Sequence, residues 1–171
     1  MLTPDDLDGL FFPVSLEALG IEEPLTIDGV TFDGAFVFTD PSLNFYLGFS
    51  NVITAPSEAE AFEEVMSDPE ALAEQIAASV AGTGAGEVTF ERLPETETQA
   101  IGDEAVGLTA ELSLEGIPSQ ADIVIFGRAD QIWAITATVS PMGGGEPAHS
   151  AAELARLLDE QFVAGLEAAG E

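Results

Sequence analysis

Cysteine and lysine are absent from this chain, histidine occurs once and arginine three times, and each scarcity removes a class of chemistry. Without cysteine there are no disulfides, thiolate metal sites, sulfur nucleophiles or sulfur-linked lipids. A lone His149 rules out multi-histidine metal sites, and no motif supplies the orienting acid and oxyanion hole that a Ser150–His149 pair would need. Arg92, Arg128 and Arg156 are scattered, so the clustered cations that release counterions from nucleic acid are missing. The same shortage disfavours an anionic membrane surface. No apolar stretch approaches the roughly 18 residues of a membrane helix. The opening Met1 to Asp8 lacks the basic start and apolar run of a signal peptide. The expectation is a soluble chain with no membrane insertion, its compartment left open.

What is present is acid and grease together. Against those three arginines stand 32 aspartates and glutamates, a formal net charge of -29, yet 46% of the 171 residues are hydrophobic and eleven are phenylalanine. Acidic disordered chains fail to fold for want of apolar material, and this one does not want it. The length suits one domain. Size scaling gives roughly 8,000 Å² of surface, which spaces the net charges about 17 Å apart, beyond a Debye length of about 8 Å in physiological salt. A dispersed acidic coat is therefore tolerable in salt.

The pattern along the chain is α+β. Residues 1 to 29 are rich in proline, glycine and acid, with a short helix expected from Ser15 to Leu19 and a stop at Gly20, and read as an arm laid over a domain of residues 30 to 171. Val30 to Thr39 and Leu43 to Val52 are aromatic and β-branched around an Asp40-Pro41-Ser42 turn, the signature of a hairpin. Helical periodicity follows from Ser57, with Phe62, Val65 and Met66 on one face, and Asp68-Pro69-Glu70 restarts it towards Leu72, Ile76, Val80 and a stop at Gly82. Strands are expected over Glu87 to Leu93, Glu104 to Leu114, Gln120 to Arg128 and Gln131 to Ser140, the last two as an antiparallel hairpin. The glycine-rich Pro141 to Pro147 loop leads to a helix from about Ser150 to Ala168, striped with Leu154, Leu157, Leu158, Phe162 and Leu166. The order ββαββββα predicts a largely antiparallel sheet of about six strands covered by helices.

That order, with the run Ala100 to Gly107 (AIGDEAVG) and the segment Ala121 to Arg128 (ADIVIFGR), resembles the Mog1/PsbP-like fold as found in bacterial exported and lipoprotein-type members. The opening Leu2 to Leu7 is similar to that of uncharacterised bacterial proteins of the same kind. The resemblance spans roughly residues 30 to 168. It implies accessory or binding work without a common catalytic centre, and an extracytoplasmic place, although the signal or lipidation cysteine of exported members is not seen here.

The candidate sites are few. Gly82 to Gly86 (GTGAG) looks like a phosphate loop, but it follows a helix, precedes a strand and lacks lysine, so it reads as a connector. The carboxylates of Asp5, Asp6, Asp8, Glu22, Glu23, Glu58 to Glu64, Glu95, Glu97, Asp103, Glu104, Asp159 and Glu160 match no EF-hand loop, because proline falls where the first ligand should be. Weak Ca²⁺ or Mg²⁺ association is expected of them, without a dedicated site. Asp103 and Glu104 are adjacent on a strand and point apart, so Asp103 reads as a turn residue bonding local amides. His149 reads as a surface residue at a helix start. Arg128 and Trp133 are the candidate ligand or partner contacts, set against an ion pair of Arg128 with Asp122 or Asp130 and a core role for Trp133.

No catalytic residue and no cofactor is expected. The leading expectation is a noncatalytic accessory or binding protein whose partner is a protein or an apolar small molecule. The alternatives are a halophile-adapted structural or interaction protein, a weak divalent-cation binder, and a hydrolase built on an unrecognised pair of converging carboxylates.

Overall fold

The computed structural model describes residues 1–19, 25–27, 29–81, 88–114 and 116–170. Its centre is a seven-stranded, wholly antiparallel sheet, which with helices on both faces makes the chain α+β. In chain order the strands are β1 (Phe12–Pro13), β2 (Thr26–Ile27), β3 (Val30–Thr31), β4 (Gly34–Thr39), β5 (Phe45–Val52), β6 (Phe90–Arg92), β7 (Glu104–Leu114), β8 (Ile117–Arg128) and β9 (Ile132–Pro141). The described helices are α1 (Pro56–Ser67), α2 (Pro69–Ala81), α3 (Glu95–Thr98) and α4 (Ala151–Gly170), with 3-10 turns at Pro4–Asp6 and Leu16–Leu19. Across the sheet the strands run β1-β4-β5-β9-β8-β7-β6, while β2 and β3 form a separate two-stranded ribbon.

Three details differ from the sequence pattern. The stretch Val30 to Thr39 is two strands, because Phe32 and the exposed Asp33 break the extension before Gly34. A seventh strand, β1, adds to the sheet edge through Phe12↔Thr39 and Pro13↔Phe38; proline's missing N–H is tolerated there because one side of an edge strand is unpaired. The first strand after the helices is shorter than expected, Phe90–Arg92. Gly20, Gly82 to Gly86 and the side chains of Ile76 and Val80 lie outside the described residues.

Both faces of the sheet are apolar over most of their extent, since β8 and β9 alternate between two buried sides. Ile123, Ile125, Trp133 and Ile135 pack with Phe62 and Val65 of α1 and Leu72 of α2. Val124, Phe126 and Ala134 pack with Leu154, Ala155 and Leu158 of α4, and Leu2, Leu7 and Phe11 of the N-terminal residues complete that layer. Gly48 on β5 is required by contact: a methyl there would lie 2.1 Å from the ring of its cross-strand partner Phe36. Helix α4 starts at a reciprocal cap in which the Glu153 N–H donates to Ser150 Oγ at 3.1 Å and the Ser150 N–H to Glu153 Oε2 at 2.9 Å.

Candidate functional site

Register, not any single strand, builds the site. On the α4 face, Tyr46 of β5 stands opposite Thr138 of β9, Thr138 beside Asp122 of β8, Asp122 beside Thr109 of β7, and Thr109 beside Glu91 of β6. One step towards the end of the sheet, Gln120 pairs with Ser140 and with Glu111, while Asp40 and Asn44 close the β4–β5 turn on the same side. The result is two adjacent cross-strand rows of hydroxyl, amide and carboxylate groups on one end of an otherwise apolar face. Helix α4 covers the sheet beyond them, at Val124, Phe126 and Ala134.

The outer half of these rows is an open groove of about 480 Å³ lined by Thr89, Glu91, Thr109, Ala110, Glu111 and Gln120. Glu91, Glu111 and Gln120 are exposed and Asp122 is half-buried. The Thr109 hydroxyl donates to Asp122 Oδ1, and Gln120 Nε2 reaches the same oxygen at 3.2 Å. Three carboxylates with few internal donors leave a surface dominated by hydrogen-bond acceptors.

The inner half is buried. Asp40, 7% exposed, accepts from Ser42 N at 2.8 Å and Asn44 N at 3.1 Å on Oδ1, and from Asn44 Nδ2 at 2.9 Å and the Tyr46 hydroxyl at 2.7 Å on Oδ2. Burial pushes its pKa up, but these four donors together outweigh it and hold the carboxyl below its ordinary value. Burial first, and then the bond to Asp40, pushes Tyr46 up to about 12. The Tyr46 oxygen also accepts from Ala148 N at 2.9 Å, tying the loop before α4 to the row. Among the described residues, the buried polar atoms without a protein partner are Asn44 Oδ1, Thr138 Oγ1 and His149 Nε2. All three belong to, or border, this buried end.

The residues singled out from sequence fall elsewhere or differ from expectation. His149 is not a surface residue: its side chain is 15% exposed and packs beside Phe11, which folds back from the N-terminal residues to cover it. Arg128 pairs with neither Asp122 nor Asp130. Its Nε donates to Asp159 Oδ1 at 2.7 Å, its Nη2 to the other oxygen of Asp159, and its Nη1 to Asp103 Oδ1 at 3.2 Å. Asp122 is six residues away along the same strand, about 20 Å at strand rise, and out of reach. The Asp159 bond first, with both aspartate charges, holds the Arg128 guanidinium above its ordinary pKa. Asp103, just before β7, accepts the Ala129 N–H of the β8–β9 turn rather than a local amide, and Asp159 accepts the Gly102 N–H at 3.0 Å. Trp133 is 1% exposed, with its Nε1 donating to Asn51 Oδ1 at 3.0 Å and its ring against Phe32 and Phe62. Arg128 and Trp133 thus sit at the end of the sheet opposite the polar rows.

Among the described residues no three His, Asp or Glu side chains gather as a metal-holding group, and no described helix is long and apolar enough to cross a membrane. No known family, curated protein or solved structure matches the chain. The polar rows were missed in sequence because Thr109-x-Glu111, Gln120-x-Asp122 and Thr136-x-Thr138-x-Ser140 each look like the ordinary solvent side of a strand. Only the pairing register makes them one surface.

Proposed function

We propose that this chain is a noncatalytic accessory or binding protein, in keeping with its resemblance to Mog1/PsbP-like proteins, and that the polar rows over β6, β7 and β8 are its binding surface. The observation that carries this reading is the groove of acceptor side chains at one end of a sheet whose faces are elsewhere packed by helices. Glu91, Glu111 and Asp122 present carboxylates to a ligand with no arginine on their face, since the adjacent Arg92 projects from the other side of β6 and pairs with Glu70, so the fitting partner is rich in N–H donors and positive charge, as a protein segment carrying lysine or arginine is.

The test is NMR mapping at about 0.15 M salt with a peptide of lysine and serine alone. Shifts concentrated on Thr109, Glu111 and Gln120 are expected, with Glu91→Gln plus Glu111→Gln weakening binding several-fold more than Glu60→Gln plus Glu63→Gln on α1. Shifts spread evenly over the acidic coat, or equal losses from the two pairs, would overturn the reading.

A second reading, adaptation of an interaction protein to high salt, is favoured by the absence of lysine and the number of exposed carboxylates, and the salt dependence of stability separates it from the first.

A further inference from the structure

At its inner wall the groove meets a carboxylate with one oxygen engaged and the other free. Asp122 of β8 lies behind Thr109 and Gln120, half-buried, with Thr109 of β7 opposite it on one side and Thr138 of β9 opposite it on the other, all on the α4 face. Both hydrogen bonds that its carboxylate receives fall on Oδ1, from the Thr109 hydroxyl at 2.5 Å and from Gln120 Nε2 at 3.2 Å. Among the described residues no donor reaches Oδ2. The arginines are committed elsewhere: Arg92 pairs with Glu70, Arg128 with Asp103 and Asp159, and Arg156 bonds the Glu97 carbonyl.

Thr138 gives a second, independent sign. It is 3% exposed, and its hydroxyl has no hydrogen-bond partner. The Met142 N–H donates to Pro118 O, which marks residues 118 and 142 as a hydrogen-bonded pair of the β8–β9 register, and alternation by two makes Asp122 and Thr138 another. Their Cα atoms are therefore about 5.5 Å apart, with the side chains rising next to each other. A hydroxyl so placed could donate to the carboxylate, yet the bond is not made. Asp122 Oδ2 and Thr138 Oγ1 thus stand as neighbours on the sheet, both lacking a donor, where folding alone would have paired them.

The state of these two oxygens selects the donor. A guanidinium binds a carboxylate best through two parallel N–H bonds, one to each oxygen. At Asp122 one oxygen is already held by Thr109 and Gln120, so that fork has only half its target. A primary ammonium is a compact point charge with three donors that rotate freely. It takes Oδ2 alone and turns a second N–H towards the Thr138 oxygen. We propose that Asp122, with Thr138 beside it, is a specificity subsite for a primary ammonium, so that the groove takes a lysine side chain in preference to an arginine. The inference rests on the binding role proposed for the groove and names the side chain by which the partner is recognised. Glu91 and Glu111, exposed and on the same face, supply the general attraction for positive charge, and Asp122 supplies the choice between cations.

The experiment titrates three peptides of equal length and charge into the full chain by NMR at about 0.15 M salt. One is built of lysine and serine, one has arginine for lysine, and one has trimethyl-lysine, which keeps the charge and loses every N–H of the ammonium. The lysine peptide is expected to bind about fivefold more tightly than the arginine peptide and about tenfold more tightly than the trimethyl-lysine peptide. Asp122→Asn should bring the three affinities within about twofold of one another, and Thr138→Val should narrow the gap between lysine and arginine, whereas Glu60→Gln plus Glu63→Gln on α1 should leave the ranking unchanged. Both site substitutions are close in shape to the native side chain, circular dichroism checks their fold, and the comparison of the three peptides on the unaltered chain needs neither. An arginine or trimethyl-lysine peptide that binds as tightly as the lysine peptide overturns the ammonium subsite. If the peptides in that case still shift Thr109, Glu111 and Gln120 selectively, the groove reading survives alone; if none of them perturbs those residues, both fail.

Discussion

The density of negative charge makes salt the sharpest perturbation of this fold. An accessible surface of 8900 Å² carrying 29 net charges places them about 18 Å apart if they are evenly spread. Two unit charges at that distance in water repel by ~0.2 kcal/mol before screening. At about 0.15 M salt the ~8 Å Debye length reduces this to ~0.02 kcal/mol, whereas at about 10 mM the ~30 Å length leaves ~0.13 kcal/mol. With roughly six neighbours each, the charges form roughly 90 pairs, so the native state gains ~10 kcal/mol of repulsion as salt is removed. The unfolded chain bears part of the same repulsion at larger separations. If about half cancels, ~5 kcal/mol of stability is lost, a large share of the 5–15 kcal/mol typical of a domain. For a domain of this length that is a fall of roughly 10–20 °C in Tm. Differential scanning calorimetry in KCl from about 10 mM upward measures it directly. Above 0.15 M only ~2 kcal/mol of nearest-neighbour repulsion remains to be screened, so the curve should flatten. A Tm unchanged within about 3 °C between 10 and 150 mM would refute the dispersed coat. A rise continuing undiminished to about 2 M would favour adaptation to high salt over simple screening.

Three substitutions probe the packing and the buried polar groups. Gly48→Ala forces a methyl into the Phe36 ring and should cost about 2–3 kcal/mol in urea unfolding, partly recovered in the double variant with Phe36→Leu. Asp159→Ala strands the half-buried Arg128 and the Gly102 N–H and should cost about 3 kcal/mol, whereas Asp103→Ala, removing an exposed partner, should cost about 1 kcal/mol; the reverse order would show that Asp103 anchors the network. Asp40→Ala leaves the Ser42, Asn44 and Tyr46 donors unpaired and should cost about 1–3 kcal/mol near neutral pH. Because the folded pKa of Asp40 lies below its ordinary value of 3.8, the carboxylate's contribution is fully present above that value and is lost as pH falls through the folded pKa. The difference between wild type and Asp40→Ala should therefore be constant at higher pH and shrink below about pH 4, as followed by circular dichroism.

Local signals carried most of the fold, and failures began where the relevant partner was remote in sequence. The break at Asp68-Pro69 between α1 and α2 was legible because proline is tolerated only in the first turn of a helix. Ser150 and Glu153 likewise announce the start of α4 by their spacing. The central hairpin of β8 and β9 was legible from its apolar, β-branched runs. Strand β1 was not, because two residues including proline hold no periodicity and pair only through Thr39 and Phe38. His149 looked exposed because nothing near it in sequence covers it; Phe11 does so in three dimensions. Asp122 and Asp130 looked like partners for Arg128 because they are close along the chain, while Asp159 arrives from α4. The polar rows failed for the deepest reason: alternation gives each strand a polar side, but only register decides whether those sides converge.

The two ends of the sheet differ in how completely their polar and apolar groups are satisfied. At the β8–β9 turn, Arg128 joins Asp103 and Asp159, Gly102 is held by the same carboxylate, and Trp133 is locked to Asn51, so charge and hydrogen-bonding capacity are consumed internally. At the other end, Glu91 and Glu111 face solvent without a cation, Asn44, Thr138 and His149 each hold an atom with no protein partner, and Leu43, Ile117 and Met142 expose apolar surface. Folding drives the first arrangement, because pairing a buried charge removes a desolvation cost. Folding does not drive the second, since each of its groups would be cheaper if paired, buried or replaced by a polar residue. An end of the molecule where several independent groups all forgo that gain is what the proposed binding role would leave behind.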